Sequence, residues 1–262
     1  MIDEYLANGY HIFRNIIQSS LLADLRRQAD IARELAHEIN GRQTQRIQPI
    51  DQYADRIDLQ PFRDYVESPT LKDAVTNLLG PDYTHGHLHI MGLLVEPLDH
   101  PWHCGWHRDG VVEVPPEGRN QEVREAVDEV WHDLRIFNQV NCALYADSCT
   151  WFVPGSHLRC YDLPGEFQST GDPAMHTFLG DCAVDAERFY IEHCRQMPGA
   201  IPMHLNAGDF MVYRSHGWHT GIYLPYQPRA TIHDIVSHPD REQLTGRWRT
   251  AQQEARAALA KA

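Results

Sequence analysis

The sequence predicts a mainly β protein with flanking α-helices, built as a jelly-roll of two antiparallel sheets. Three observations carry this. An amphipathic, helix-like stretch stands near the start, short strand-like runs follow from Tyr83 onward, and Gly, Pro, Asn and Asp clusters separate those runs. Helices first and many short strands afterwards is the order expected when helices cover one face of a double sheet.

Taken in order, residues 1–82 read as a mostly helical part. From Ser19 to about Ile39 the segment SSLLADLRRQADIARELAHEI places Leu21, Leu22, Leu25, Ala29, Ile31, Leu35 and Ile39 at roughly helical spacing, an apolar stripe to lay on a sheet. Ser19 or Ser20 offers a cap and Asn40-Gly41 a stop. A second, short helix is expected from Pro69 to Leu79, ended by Gly80-Pro81. The runs HGHLHIMGLLVEP, IFNQVNCALYAD, TWFVPGSH, GAIPMHLNAGDFMVYR and RATIHDIVSH make residues 83–239 the jelly-roll core. Residues 111–131 interrupt it, opening with prolines and turning acidic; a lid or pocket wall and a solvated insertion fit equally. Residues 240–262 are polar and Ala-rich, a surface helix or tail. There is no internal repeat, and residues 1–262 are expected to form one domain.

Charge narrows the partners. With 36 acidic and 23 basic residues the formal net charge is −13, which repels nucleic acid and anionic membrane surfaces but leaves room for a local basic cleft that takes a small anion. No apolar run approaches the ~20 residues that span a bilayer, and the start, MIDEYLANGYHIF, is acidic where a secretory signal is basic. A cytoplasmic protein acting on a small molecule is expected. The six cysteines include no CxxC pair and read as ordinary reduced thiols. Oligomeric state is not legible.

The chemistry concentrates in Trp106-His107-Arg108-Asp109-Gly110. On a strand, residues two apart share a face, so His107 and Asp109 project together while Arg108 turns away. One imidazole and one carboxylate call for a third ligand from a strand late in the chain, completing a two-histidine, one-carboxylate set that leaves open positions on iron(II). His216 and His219, in RSHGWHTG, are the candidates, and spacing alone does not choose between them. Ten residues beyond His219, Arg229 opens the next strand-like run, and its planar charged fork suits a carboxylate. An ordinary surface ion pair is the plainer reading of Arg229.

These residues resemble the phytanoyl-CoA dioxygenase family of iron(II)- and 2-oxoglutarate-dependent oxygenases. The likeness runs over most of the chain, through NGYHIFRNIIQSSLLADLR, WHRDG, VPGSH, the GD…H segment and the downstream arginine. It implies a cupin-like double-stranded β-helix, with His107, Asp109 and His219 as metal ligands. Arg229 would anchor the distal carboxylate of 2-oxoglutarate. His219 is preferred by its distance beyond the GD turn; His216 is the reserve ligand, or else a packed strand-end histidine. The cofactors implied are Fe(II), 2-oxoglutarate and O2, and the reaction a hydroxylation that releases succinate and CO2. A carboxylate at Asp109, where related halogenases carry a small residue, favours hydroxylation. Two departures, the shortened aromatic ADSCTWFVPGSH and a return segment GIYLPYQPRA without the usual asparagine and serine, keep the relatives' substrate contacts from carrying over.

Further expectations attach to the same site. Gln139, Asn141 and Tyr145 share one strand parity and are candidates to face cosubstrate or substrate, and burial with structural partners fits them equally well. Trp106, Trp151 and Trp102 are candidates for an apolar pocket wall, Trp106 foremost because it adjoins His107. His87 and His89 share a face but, among 17 histidines, are not taken as ligands. Two other readings compete: a non-catalytic jelly-roll that binds a metabolite or metal, and a zinc-dependent hydrolase, which the lack of HExxH disfavours.

Overall fold

A computed structural model describes residues 1–109, 130–166 and 183–259. The chain enters through α1 (Ile2–Asn8) and β1 (Tyr10–Phe13), then the long α2 (Ser19–Asn40), β2 (Arg46–Ile47), α3 (Gln60–Glu67) and α4 (Pro69–Leu79). The strands β3 (Thr84–His85), β4 (Gly92–Val95), β5 (Trp102–His103), β6 (Asn138–Ala143) and β7 (Thr150–Phe152) follow. After α5 (Ala183–Gln196) come β8 (Ile201–Pro202), β9 (Phe210–Arg214), β10 (His219–Tyr223) and β11 (Ala230–Ser237), and α6 (Arg241–Leu259) closes the described chain.

The strands form two antiparallel sheets. A seven-stranded sheet runs β1-β9-β6-β11-β4-β2 with β3 against β11, and a four-stranded sheet runs β5-β10-β7-β8. This is the expected jelly-roll, and the sheets do not close into a barrel. The expected insertion at 111–131 lies, except for Val130 and Trp131, outside the described residues. No helix among the described residues is long and apolar enough to cross a membrane.

Burial explains the helices. Leu25, Ala29, Ala32, Leu35 and Ala36 of α2 lie one to two turns apart and sink into the main core, beside Phe62 and Tyr65 of α3 and Leu71 and Leu78 of α4. Two details of the expected stripe are corrected: Ile31 and Ile39 are exposed, and small alanines let the helix lie close to the sheet instead. The start is also one residue off, with Gln18 at the N-cap and no side-chain cap bond, whereas Gly41 (φ 88°) ends the helix as expected. The run HGHLHIMGLLVEP is strand only at its two ends, in β3 (Thr84–His85) and β4 (Gly92–Val95), because residues 87–91 turn the chain between these two strands, both of which pair with β11.

Candidate metal centre

His107 and His219 pair across an antiparallel bridge, each amide donating to the other's carbonyl at 3.0 Å. Directly opposed residues of such a bridge bring their side chains onto one face, and the rings lie 4.2 Å apart. Asp109 is set by its amide, which donates to the Ser215 carbonyl at 2.8 Å. Its carboxylate sits 3.7 Å from His107 Nε2 and 3.9 Å from His219 Nε2. The donor atoms of His107, Asp109 and His219 all lie within 4.8 Å of one another.

The protein also aims these donors. Nδ1 of His107 donates to the Gly105 carbonyl at 2.8 Å, and Nδ1 of His219 donates to the Gly217 carbonyl at 2.9 Å. With Nδ1 tied to backbone, each imidazole presents Nε2 to the centre of the cluster. Tyr213 donates to Gln139 Oε1 at 2.6 Å, and the amide of Gln139 donates to Asp109 Oδ2, so a relay fixes the carboxylate. Burial alone raises a carboxyl pKa, but the charges of His219 and His107 outweigh it and hold Asp109 below its usual range. Burial together with the charge of His107 presses His219 down to about 4. His107 moves the other way, to about 9: burial opposes its charge, and the neighbouring Cys104 and Asp109 overcome that.

A chamber of about 460 Å3 opens on this cluster, a size suited to small molecules. Arg229 lines it and is 4% exposed. Its Nε donates to Asp147 Oδ2 at 2.9 Å, its backbone amide to Glu96 at 2.9 Å, and its guanidinium lies 4.3 Å from the Tyr223 ring centre. Burial disfavours its charge, yet Asp147 keeps its pKa well above the ordinary value. Nη1 of Arg229 is buried with no hydrogen-bond partner among the described residues. A clamped guanidinium with one edge unspent fits the carboxylate of a bound acid. Two imidazoles, one carboxylate and this arginine around one chamber therefore match what iron(II) and a 2-oxo acid require.

Other expected residues divide. Gln139 and Asn141 line the chamber, the latter accepting a hydrogen bond from His233 Nδ1 at 3.0 Å. Tyr145 does not: it lies beyond the end of β6, where alternation no longer holds, and its hydroxyl donates to Asp30. Trp106 is corrected too. The alternation that turns His107 inward turns its neighbour outward, into a cluster with Trp151, Trp218 and residues of α5. Trp151 borders a separate groove beside α5, and the tryptophan on the chamber wall is Trp102. His216 is three residues from His219 but fully buried, 4.6 Å from the Phe137 ring and 4.8 Å from that of Trp131, outside the ligand cluster. Arg108 faces away as expected and braces the ligand strands, donating from Nη1 to the carbonyls of Ser156, Arg159 and His216.

Sequence reasoning missed Tyr213, His233, Asp147 and Glu96. His233 was within reach, since Arg229, Thr231 and His233 share the parity of one strand. Asp147 and Glu96 carry no local signal, because they meet Arg229 only in the fold.

The sequence model of the phytanoyl-CoA dioxygenase (PhyH) family matches residues 5–221. No curated protein matches the chain in sequence. Solved structures similar in fold include AviO1 from Streptomyces viridochromogenes Tue57, at 16% identity, TM-score 0.57, and 92% of this chain and 94% of that one covered. They also include the epimerase SnoN from nogalamycin biosynthesis, in complex with Fe3+, alpha ketoglutarate and nogalamycin RO, at 17% identity, TM-score 0.52, and 90% and 82% covered. EctD from S. alaskensis with bound Fe matches at 15% identity, TM-score 0.51, and 90% and 75% covered. At such identities the likeness is one of fold, while the family match spans most of the sequence: the chain belongs to the phytanoyl-CoA dioxygenase family.

Proposed function

We propose that this protein is an Fe(II)/2-oxoglutarate-dependent dioxygenase that hydroxylates a small molecule with release of succinate and CO2. The observation that carries it is the joint presence, on one chamber, of the His107/Asp109/His219 donors and the unspent edge of Arg229. A binder of metal alone has no use for the arginine, and water activation by zinc gives it no role. The family match and the fold shared with SnoN, crystallised with Fe3+ and alpha ketoglutarate, support the same reading.

When bound, iron(II) and 2-oxoglutarate supply an oxidative decarboxylation that consumes O2 and oxidises a substrate carbon. The chain's residues do the rest. His107 and His219 offer Nε2 because backbone carbonyls hold Nδ1, and Gln139 and Tyr213 keep Asp109 from turning. Arg229, braced by Asp147 and Glu96, receives the distal carboxylate of 2-oxoglutarate, while Asn141 and His233 form polar wall beside it. Position is what these contacts provide, and position dominates when the cofactor performs the bond chemistry.

The test is succinate formation by purified protein given iron(II), 2-oxoglutarate, O2 and a panel of small molecules. Turnover that needs iron(II) and is blocked by zinc is expected. Iron bound with no 2-oxoglutarate consumed under any condition would contradict the proposal.

A further inference from the structure

A second cavity, of about 210 Å3, meets the metal chamber at Asp109 and Gln139, which line both. Helix α6 lines it too, through Arg241, Thr245, Trp248 and Arg249. These positions follow the i, i+4, i+7, i+8 pattern of a single helix face. Leu244 and Trp248 pin that face in place, packed in a buried cluster with Trp131 and Ile136, the Trp248 ring 5.7 Å from that of Trp131.

Several of the described arginines meet a carboxylate, as Arg33, Arg42, Arg135, Arg159 and Arg229 do. Among the described residues the guanidinium groups of Arg241, half-buried, and Arg249, exposed, have no ion pair and no hydrogen bond. The carboxylate beside them in sequence, Asp240, is taken by Arg135 at 2.8 Å. Burial, and after it the like charge of Arg249, lower the pKa of Arg241, while Glu242 favours its charge without pairing with it. Asp109, which also lines the cavity, is committed to His219 and His107. Two cations held beside one cavity, in a protein of net charge −13, repel each other until an anion enters.

We propose that this cavity is the substrate chamber and that Arg241 and Arg249 hold an anionic group of the substrate, a phosphate or a carboxylate, leaving the rest of the molecule to reach toward Asp109. The word substrate rests on the oxygenase reading; the anion site itself does not. Long polyanions are disfavoured by the overall charge, so the guest is a small molecule. The helix that selects it lies beyond residues 5–221, the span matched by the family model.

Titration of the metal-free protein with inorganic phosphate, and separately with acetate, followed by tryptophan fluorescence and calorimetry, tests this. Saturable binding of at least one anion is expected, and whichever binds more tightly names the group. Arg241→Gln and Arg249→Gln should each weaken binding by about tenfold or more. Arg241→Lys and Arg249→Lys should largely restore it, and Arg188→Gln, on the outer face of α5, should leave it unchanged. Binding of neither anion, or undiminished binding in the folded Arg241→Gln/Arg249→Gln double variant, would overturn the proposal. The visible absorption of the iron(II)–2-oxoglutarate complex separates the two readings. If it forms and no anion binds, the anion site alone falls; if it never forms and phosphate still binds, the oxygenase reading alone falls.

Discussion

The two faces of the seven-stranded sheet are made by the same strands and do opposite things. On β6, Val140 and Cys142 enter the apolar core beneath the helices, while Gln139 and Asn141 line the chamber. On β11, Ala230 and Ile232 go to the core and His233 to the chamber; on β9, Phe210 and Val212 go to the core and Tyr213 to the chamber. One face removes apolar surface from water and supplies stability. The other buries imidazoles, amides, a carboxylate and a guanidinium, groups that cost free energy unless paired. A period of two keeps the costs and the gains on separate sides, so stability and function should be separable by mutation.

Four predictions press on that separation. The largest effect is at the ligands: His219→Ala or Asp109→Ala should abolish iron binding and 2-oxoglutarate turnover while the melting temperature holds. His216→Ala should leave iron binding in place, and a reversal of that pair, read by metal analysis, would exchange the ligand assignment. On the core face, Phe210→Ala should cost about 3–5 kcal/mol in chemical denaturation, with the folded fraction still binding iron. Gln139→Leu, which breaks the relay from Tyr213 to Asp109, should lower iron affinity by about 10- to 100-fold without loss of fold.

The smallest effect concerns buried histidines that are not ligands. Burial lowers His85 and His157 to about 4 and His216 further. Folded protein therefore leaves them neutral while unfolded chain takes up protons below about pH 6.5. Stability contributed by this neutrality is complete above that pH and is lost as pH falls toward 4. Each histidine contributes at most about 1.4 kcal/mol per pH unit. His216→Phe should make the slope of stability against pH shallower by one proton, as measured by denaturation across pH 4–6.5. An unchanged slope would place charge on His216 in the folded state.

How far the site could be read in advance follows from the same alternation. His107 and Asp109 come from it, and so does the outward turn of Arg108, although of the two candidate ligands only His107 is bridge-paired. It also misplaced Trp106, whose adjacency to His107 is the reason it faces elsewhere, and Tyr145, which lies past the strand that would have aimed it. The choice of His219 over His216 was not available from spacing and came from a family resemblance. In the structure the bridge to His107 brings His219 together with Asp109 in the candidate metal cluster. Glu96 and Asp147 reach Arg229 across 133 and 82 residues, a distance no local pattern encodes. Helix α6 was expected only as a surface helix or tail, because its composition is polar; its face toward the cavity becomes apparent only when Trp248 is seen packed inward.

The most direct measurement of the central claim is an anaerobic titration of the metal-free protein with iron(II) and 2-oxoglutarate, following visible absorption. A weak charge-transfer band that forms in the wild type, disappears in Asp109→Ala and needs about tenfold more 2-oxoglutarate in Arg229→Lys is the predicted result. Iron bound by folded protein with no such band at any concentration of 2-oxoglutarate would contradict it.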